Sequence, residues 1–236
     1  MKALQSYFTK GELLLWLISV TVIIVSFVAF DRENYLVLTA SLIGVTSLIF
    51  NAKGNPIGQL LMVIFSIMYG YISFGFAYYG EMITYVGMTG PMALFALIAW
   101  LRHPFKGRHS EVEVNHISRI EILLMFVAAG VVTWVFYYIL SYFSTANIVP
   151  STISVTTSFL GVYLTFRRSE YYALGYAAND IVLIVLWILA SMEDISYVSM
   201  IACFVIFLVN DMYGFISWRR MKLRQAGTNL PLSECS

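Results

Sequence analysis

The chain has 236 residues, of which 60% are hydrophobic and only 11% charged, with a mean hydropathy of +0.80 and a formal net charge of +1. Soluble domains carry about 25% charged residues, so an ordinary soluble globular fold is excluded, and no stretch is long and polar enough to form a second domain. Two cysteines, Cys203 and Cys235, give no disulfide framework, and His103, His109 and His116 share one basic loop without cysteine partners or ligand spacing.

Runs of membrane-span length recur from end to end. Leu13 to Phe30 follows Lys2 and Lys10. It is longer than a signal-peptide core and lacks an A-x-A site, which predicts an uncleaved first helix. The polar turn 31–34 leads into helix two, Tyr35 to Phe50. Pro56 opens helix three, which is expected to reach about Ala77 and to be closed by Tyr79-Gly80-Glu81. Helix four, Met82 to Trp100, contains Pro91, which predicts a kink and a freed carbonyl. The longest polar connection, Leu101 to Ser118, precedes helix five, Ile120 to Phe143. Helix six ends at Phe166 before Arg167-Arg168, helix seven covers Tyr171 to Ala190, and helix eight covers Tyr197 to Trp218. A polar, mobile tail is expected from Arg219 onward. The fold class is therefore an all-α polytopic membrane protein with eight transmembrane helices. Residues 1–221 form one transmembrane domain and 222–236 a cytoplasmic tail.

With the N-terminus inside, thirteen of the fourteen lysines and arginines fall on the cytoplasmic side and only Arg32 lies outside, as do Glu81, Glu193 and Asp194. The positive-inside rule thus places both termini in the cytoplasm. An internal repeat is also visible. At an offset of 117, Ser41, Gly44 and Val45 fall on Ser158, Gly161 and Val162, and Gly58-Gln59 on Gly175-Tyr176. One residue further, Trp100-Leu101-Arg102 falls on Trp218-Arg219-Arg220. The reading is an extra helix (12–30), repeat one (35–100), a linker helix (119–143) and repeat two (150–218). Because one helix separates them, the triplets run parallel, as in small transporters of the SWEET type.

Polar groups inside apolar spans point to function or to helix–helix bonds. Asn179-Asp180 and Asn210-Asp211 lie at similar depth. Tyr176, Asp180 and Trp187 share a face of helix seven, Gln59, Ser66 and Tyr69 line helix three, and Gly214 shares the face of Asn210. Trp187 suits either a pocket wall or a lipid-facing position. Trp100 and Trp218, beside basic ends, are expected to be interfacial anchors. A cavity walled this way has rings for stacking and amides and carboxylates for hydroxyls, but no phosphate-binding cation. Binding residues are therefore expected at Gln59, Ser66, Tyr69, Tyr176, Asn179, Asp180, Trp187, Asn210, Asp211 and Gly214. No catalytic set, cofactor, metal or nucleic-acid partner is expected.

The run VNDMYGFISWRRM, Val209 to Met221, follows an Asn-Asp pair one helix earlier and Tyr79-Gly80-Glu81. With these features the chain resembles the bacterial nicotinamide riboside transporters of the PnuC type from Leu36 to Met221. The resemblance implies a SWEET-like fold in the inner membrane, a homotrimer, and import of nicotinamide riboside by facilitated diffusion followed by cytoplasmic phosphorylation. The family's W-x-x-W-x-x-x-N pattern falls here on Ala173, Tyr176 and Asp180, so both tryptophans and the amide are replaced, and Asn179 is the amide nearest that register. A proton-coupled transporter of a related vitamin or nucleoside is the alternative, because Asp180 and Asp211 can titrate. An integral-membrane enzyme and a structural membrane protein are the remaining classes.

Overall fold

The computed structural model describes residues 7–75, 78–145 and 147–228. Cys235, Lys2, Ala77 and the chain after Thr228 lie outside them. Eight helices are long and apolar enough to cross a membrane: α1 Lys10–Phe30, α2 Tyr35–Ala52, α3 Pro56–Gly75, α4 Tyr79–Arg102, α5 Arg119–Tyr142, α6 Ile148–Phe166, α7 Tyr172–Ser191 and α8, Val198–Thr228 after a 3-10 turn. They match the eight expected spans, with two differences at the ends. Tyr79-Gly80-Glu81 does not close α3 but forms the first turn of α4, and Glu81 is fully buried. The expected mobile segment after Arg219 is helical through Thr228, because Gln225 is buried and bonded to the α4–α5 connection.

Local chemistry sets the boundaries. Thr9 and Glu12 form a capping box at the start of α1, with Thr9 N–H donating to Glu12 Oε2 at 2.6 Å and Glu12 N–H to Thr9 Oγ1 at 3.2 Å. The α2–α3 turn closes with Gly54 at φ +65, and the α6–α7 turn with Arg168 at φ +56. Both residues supply the left-handed step that ends a helix. Pro91 has no N–H for the carbonyl one turn back. Rather than leaving a freed carbonyl beside a simple kink, α4 shifts its ladder into a π stretch, Tyr85–Thr89, in which Gly90 N–H reaches Tyr85 O.

Packing order explains where a site can form. α2, α3, α4, α6, α7 and α8 close into a ring in which α4 packs on α6 and α8 packs back on α2. α1 lies outside the ring against both α2 and α8, and α5 lies outside it against α6. At the α6–α7 contact a Cβ on Gly175 would stand 2.7 Å from the Gly161 backbone, so only glycine permits this approach. Nearly all the basic residues gather at one end of the ring, called here the basic end. There the α4–α5 connection forms a hairpin, β1 Pro104–Phe105 and β2 Arg108–Val112, turning at Lys106 (φ +48) and Gly107 (φ +76). The hairpin and the residues after it straddle the ring: Val112 N–H donates to Gly54 O and Asn115 N–H to Arg168 O.

Candidate solute-binding site

Three layers stack along the ring. At the end opposite the basic one, Tyr69 is the hub of an aromatic cluster. Its ring lies 4.4 Å from Tyr85, 5.5 Å from Phe65 and 5.6 Å from Phe204, and its hydroxyl accepts from Trp187 Nε1 at 3.0 Å. Trp187 also packs on Tyr78 and Tyr197 and is fully buried, so it belongs to the interior and not to the lipid face. Ser66 is buried nearby, with its hydroxyl bonded to Met62 O at 2.8 Å.

The middle layer is polar. Asp180 of α7 and Asp211 of α8 are buried and their carboxyl groups interact directly. Tyr85 of α4 comes within reach of the Asn179 side chain and lies close to Asp180, Tyr176 and Glu81. Glu81 faces Ser154 without a hydrogen bond of good geometry. Asn179 Oδ1 accepts from Ser158 at 3.0 Å, Thr157 at 3.0 Å and Ser154 at 3.2 Å, a hydroxyl stripe on α6. Asp180 Oδ2, Gln59 Oε1, Asn210 Oδ1 and Thr89 Oγ1 are buried polar atoms with no partner. Unpartnered buried acceptors are uncommon and mark places built to meet something else. No lysine or arginine is buried among the described residues.

At the basic end Trp100 of α4 and Trp218 of α8 meet with ring centroids 5.3 Å apart, and Tyr172 packs 4.9 Å from Trp218. Both tryptophans are fully buried, which overturns their expected role as interfacial anchors. Each bonds to a neighbouring helix of the ring. Trp218 Nε1 donates to Asn51 O of α2 at 2.7 Å, and Trp100 Nε1 donates to Thr165 O of α6 at 3.0 Å. The supports behind them also correspond: Gln59 Nε2 donates to Asn51 Oδ1 at 2.8 Å, while Tyr176 reaches Thr165.

The expected residues thus divide by position. Tyr69, Tyr176, Asn179, Asp180, Trp187 and Asp211 meet around Tyr85 or the aromatic hub. Gln59 belongs to the latch under Trp218. Asn210 turns its amide nitrogen outward, donating to Ser19 of α1 at 2.9 Å and to Ile206 O at 2.8 Å. Gly214 leaves no open space: a Cβ there would lie 3.0 Å from the Tyr172 hydroxyl. Sequence reasoning missed Glu81, Tyr85 and the α6 hydroxyls. Their signals were present as the i, i+4 stripe Glu81, Tyr85, Thr89 and the serines 151, 154 and 158.

A closed ring of spanning helices, sealed by aromatics at both ends around a layer of buried carboxyls and amides, is the build of a small polytopic transporter. The family described as Nicotinamide mononucleotide transporter matches residues 34–220, and the chain belongs to that family. The nicotinamide riboside transporter PnuC of Neisseria mucosa is 27% identical over 203 residues, which cover 84% of this chain and 77% of the relative. The crystal structure of the vitamin B3 transporter PnuC superposes with a TM-score of 0.80 at 23% identity, covering 92% of this chain and 94% of that one.

Proposed function

We propose that the protein imports nicotinamide riboside across a bacterial inner membrane by facilitated diffusion, exposing the middle layer alternately to either side. The observation that carries this reading is three buried carboxyl groups, Glu81, Asp180 and Asp211, grouped with aromatic rings and without a basic partner. Such a site favours a cation, and a pyridinium ring gains about 0.5–2 kcal/mol more over an aromatic face. Gln59 Oε1, Asn210 Oδ1 and Asp180 Oδ2 offer acceptors for ribose hydroxyls, and a phosphate has no guanidinium or ammonium to meet in that layer. The name of the Neisseria relative supports the same solute. The reciprocal tryptophan bonds support a duplicated triplet, and the basic end supports both termini in the cytoplasm. The protein acts as a carrier rather than an enzyme, and as a homotrimer, for which mass photometry is the check.

Calorimetry of the purified protein with nicotinamide riboside, nicotinamide, thiamine, riboflavin and sucrose tests the solute. Saturable binding of the riboside, lost on Asp180→Asn, is expected. Binding of thiamine in preference to the riboside would refute it. The contact between Asp180 and Asp211 favours a second reading, proton coupling. Uptake into proteoliposomes that collapses with a protonophore selects it, and uptake indifferent to one selects facilitated diffusion.

A further inference from the structure

The basic end holds a cavity of about 520 Å³ between the start of α1, the α2–α3 turn, the hairpin and α8. Its volume falls within the range of small-molecule sites, roughly 300–1,000 Å³. Four cations line it: Lys53, Arg108, Arg220 and Arg224. Two carboxylates oppose them, and both are held in place. Glu12 is buried, takes Lys53 Nζ at 3.1 Å and the Tyr213 hydroxyl at 3.0 Å, and cannot swing away. Glu111 takes Arg224 at 2.6 Å and Gln225 Nε2 at 2.9 Å.

Pairing therefore accounts for Lys53 and Arg224 but not for Arg108 and Arg220. Neither guanidinium makes an ion pair or hydrogen bond with another described residue. Ser217, Arg220 and Arg224 form one stripe of α8 by i+3 and i+7 spacing, so the free guanidinium of Arg220 stands in a row of polar groups. Across the cavity Ser110 follows Arg108 on the hairpin.

We propose that this cavity binds a nucleoside phosphate monoester. Two unpaired guanidinia match the oxygens of a phosphate dianion, which planar N–H forks grip in pairs. The remaining polar wall and the Tyr7 ring suit a sugar and a base. A phospholipid headgroup carries phosphate as well, but its chains need an apolar wall. That wall exists in a different groove, between α5, α6 and α7, lined by Ile122, Phe126 and Leu164, and not here. A ligand in this position joins the hairpin and the α2–α3 turn to α8, across the contact where Ser217 Oγ donates to Ala52 O at 2.7 Å. Occupancy braces the basic end closed. A phosphorylated product accumulating on that side then slows further entry of its unphosphorylated precursor.

The brake on entry rests on the proposed import of nicotinamide riboside, whereas nucleotide binding does not, since the two sites are measured separately. Full-length protein in detergent is titrated with nicotinamide mononucleotide and, independently, with nicotinamide riboside. The mononucleotide is expected to bind in a salt-sensitive manner without displacing the riboside. Arg108→Gln combined with Arg220→Gln should weaken its binding at least tenfold and leave riboside affinity within twofold. Both arginines are exposed, so the fold tolerates the change, and the charge reversal Arg220→Glu alone should abolish binding with an unaltered melting temperature. Mononucleotide affinity unchanged in these variants would overturn the proposal, as would one-for-one displacement by the riboside. A response confined to phosphatidylglycerol nanodiscs, with none to the soluble nucleotide, would overturn it too.

Discussion

Replacing either tryptophan of the basic-end pair by phenylalanine tests whether that pair works as a gate. Trp218→Phe removes a donor 2.7 Å from Asn51 O, and Trp100→Phe removes one 3.0 Å from Thr165 O. Neither carbonyl is orphaned, because Gly54 N–H still donates to Asn51 O at 2.9 Å and Arg168 N–H to Thr165 O at 3.0 Å. The hydrogen-bond part of the loss is therefore about 0.5–1.5 kcal/mol, and the smaller ring adds the cost of the space it leaves in a buried contact. If these bonds hold the basic end shut, the lost bond alone multiplies the open population by roughly 2- to 12-fold, at tenfold per 1.4 kcal/mol. The rings lie 5.3 Å apart, so the double variant should depart from additivity. Spin labels at Leu101 and Leu223, which are 50% and 73% exposed, report the separation of α4 and α8. With both native cysteines replaced, each single variant should move population from the short distance to a longer one. A lower melting temperature with an unchanged distance distribution would refute the gate and leave the pair as packing alone.

Asn210→Ala should cost about 1 kcal/mol of stability without ligand through its bonds to Ser19 and Ile206, with a coupling of about 0.5–1.5 kcal/mol in a cycle with Ser19→Ala. Riboside affinity should also fall, by roughly 3- to 150-fold, through the unpartnered Oδ1. Lost stability with intact affinity would make Asn210 a clasp for α1 only. At Arg168, held at φ +56, melting temperatures should rank Gly above Arg above Val, spanning on the order of 1–2 kcal/mol; an inverted order would remove any strain at that turn. For orientation, cysteines placed at the exposed positions Arg32 and Glu193 should react with an impermeant thiol reagent in intact cells, and one at His109 should not. Glu12, Glu81, Thr145 and Gln225 are buried and unsuited to that test.

The spans and their order were legible because length and hydropathy fix them, and the polar turns between them are unambiguous. Helix rotation was not. α1 and α5 are apolar on nearly every face, so periodicity could not say which stripe meets a neighbour. The polar pairs on α7 and α8 could be read as inward, yet Asn210 and Asp211 part company. Adjacent residues on a helix point about 100° apart, and α1 takes the amide while α7 takes the acid. Trp100 and Trp218 looked interfacial because arginines follow them. Only the tertiary closure of α4 on α6 and of α8 on α2 turns both indoles inward. Glu81 was assigned to a connection because a charged residue beside tyrosine and glycine looks like a helix boundary, and nothing local reveals that α6 covers it.

The placement of α1 makes two junctions of the ring, α8 with α2 and α4 with α6, unequal. Where α8 meets α2, α1 lies across both, tied by Ser19 to Asn210, by Glu12 to Lys53 and by Glu12 to Tyr213. Where α4 meets α6, α5 rests on α6 and reaches α4 through apolar side chains, Leu140 lying beside Gly80 and in one cluster with Met88 and Val155. The molecule is therefore bound like a book, with a spine of polar ties along α2 and α8 and a fore-edge along α4 and α6 held by the Trp100 bond and apolar packing. An opening about that spine moves α4, whose backbone ladder is already irregular at the π stretch.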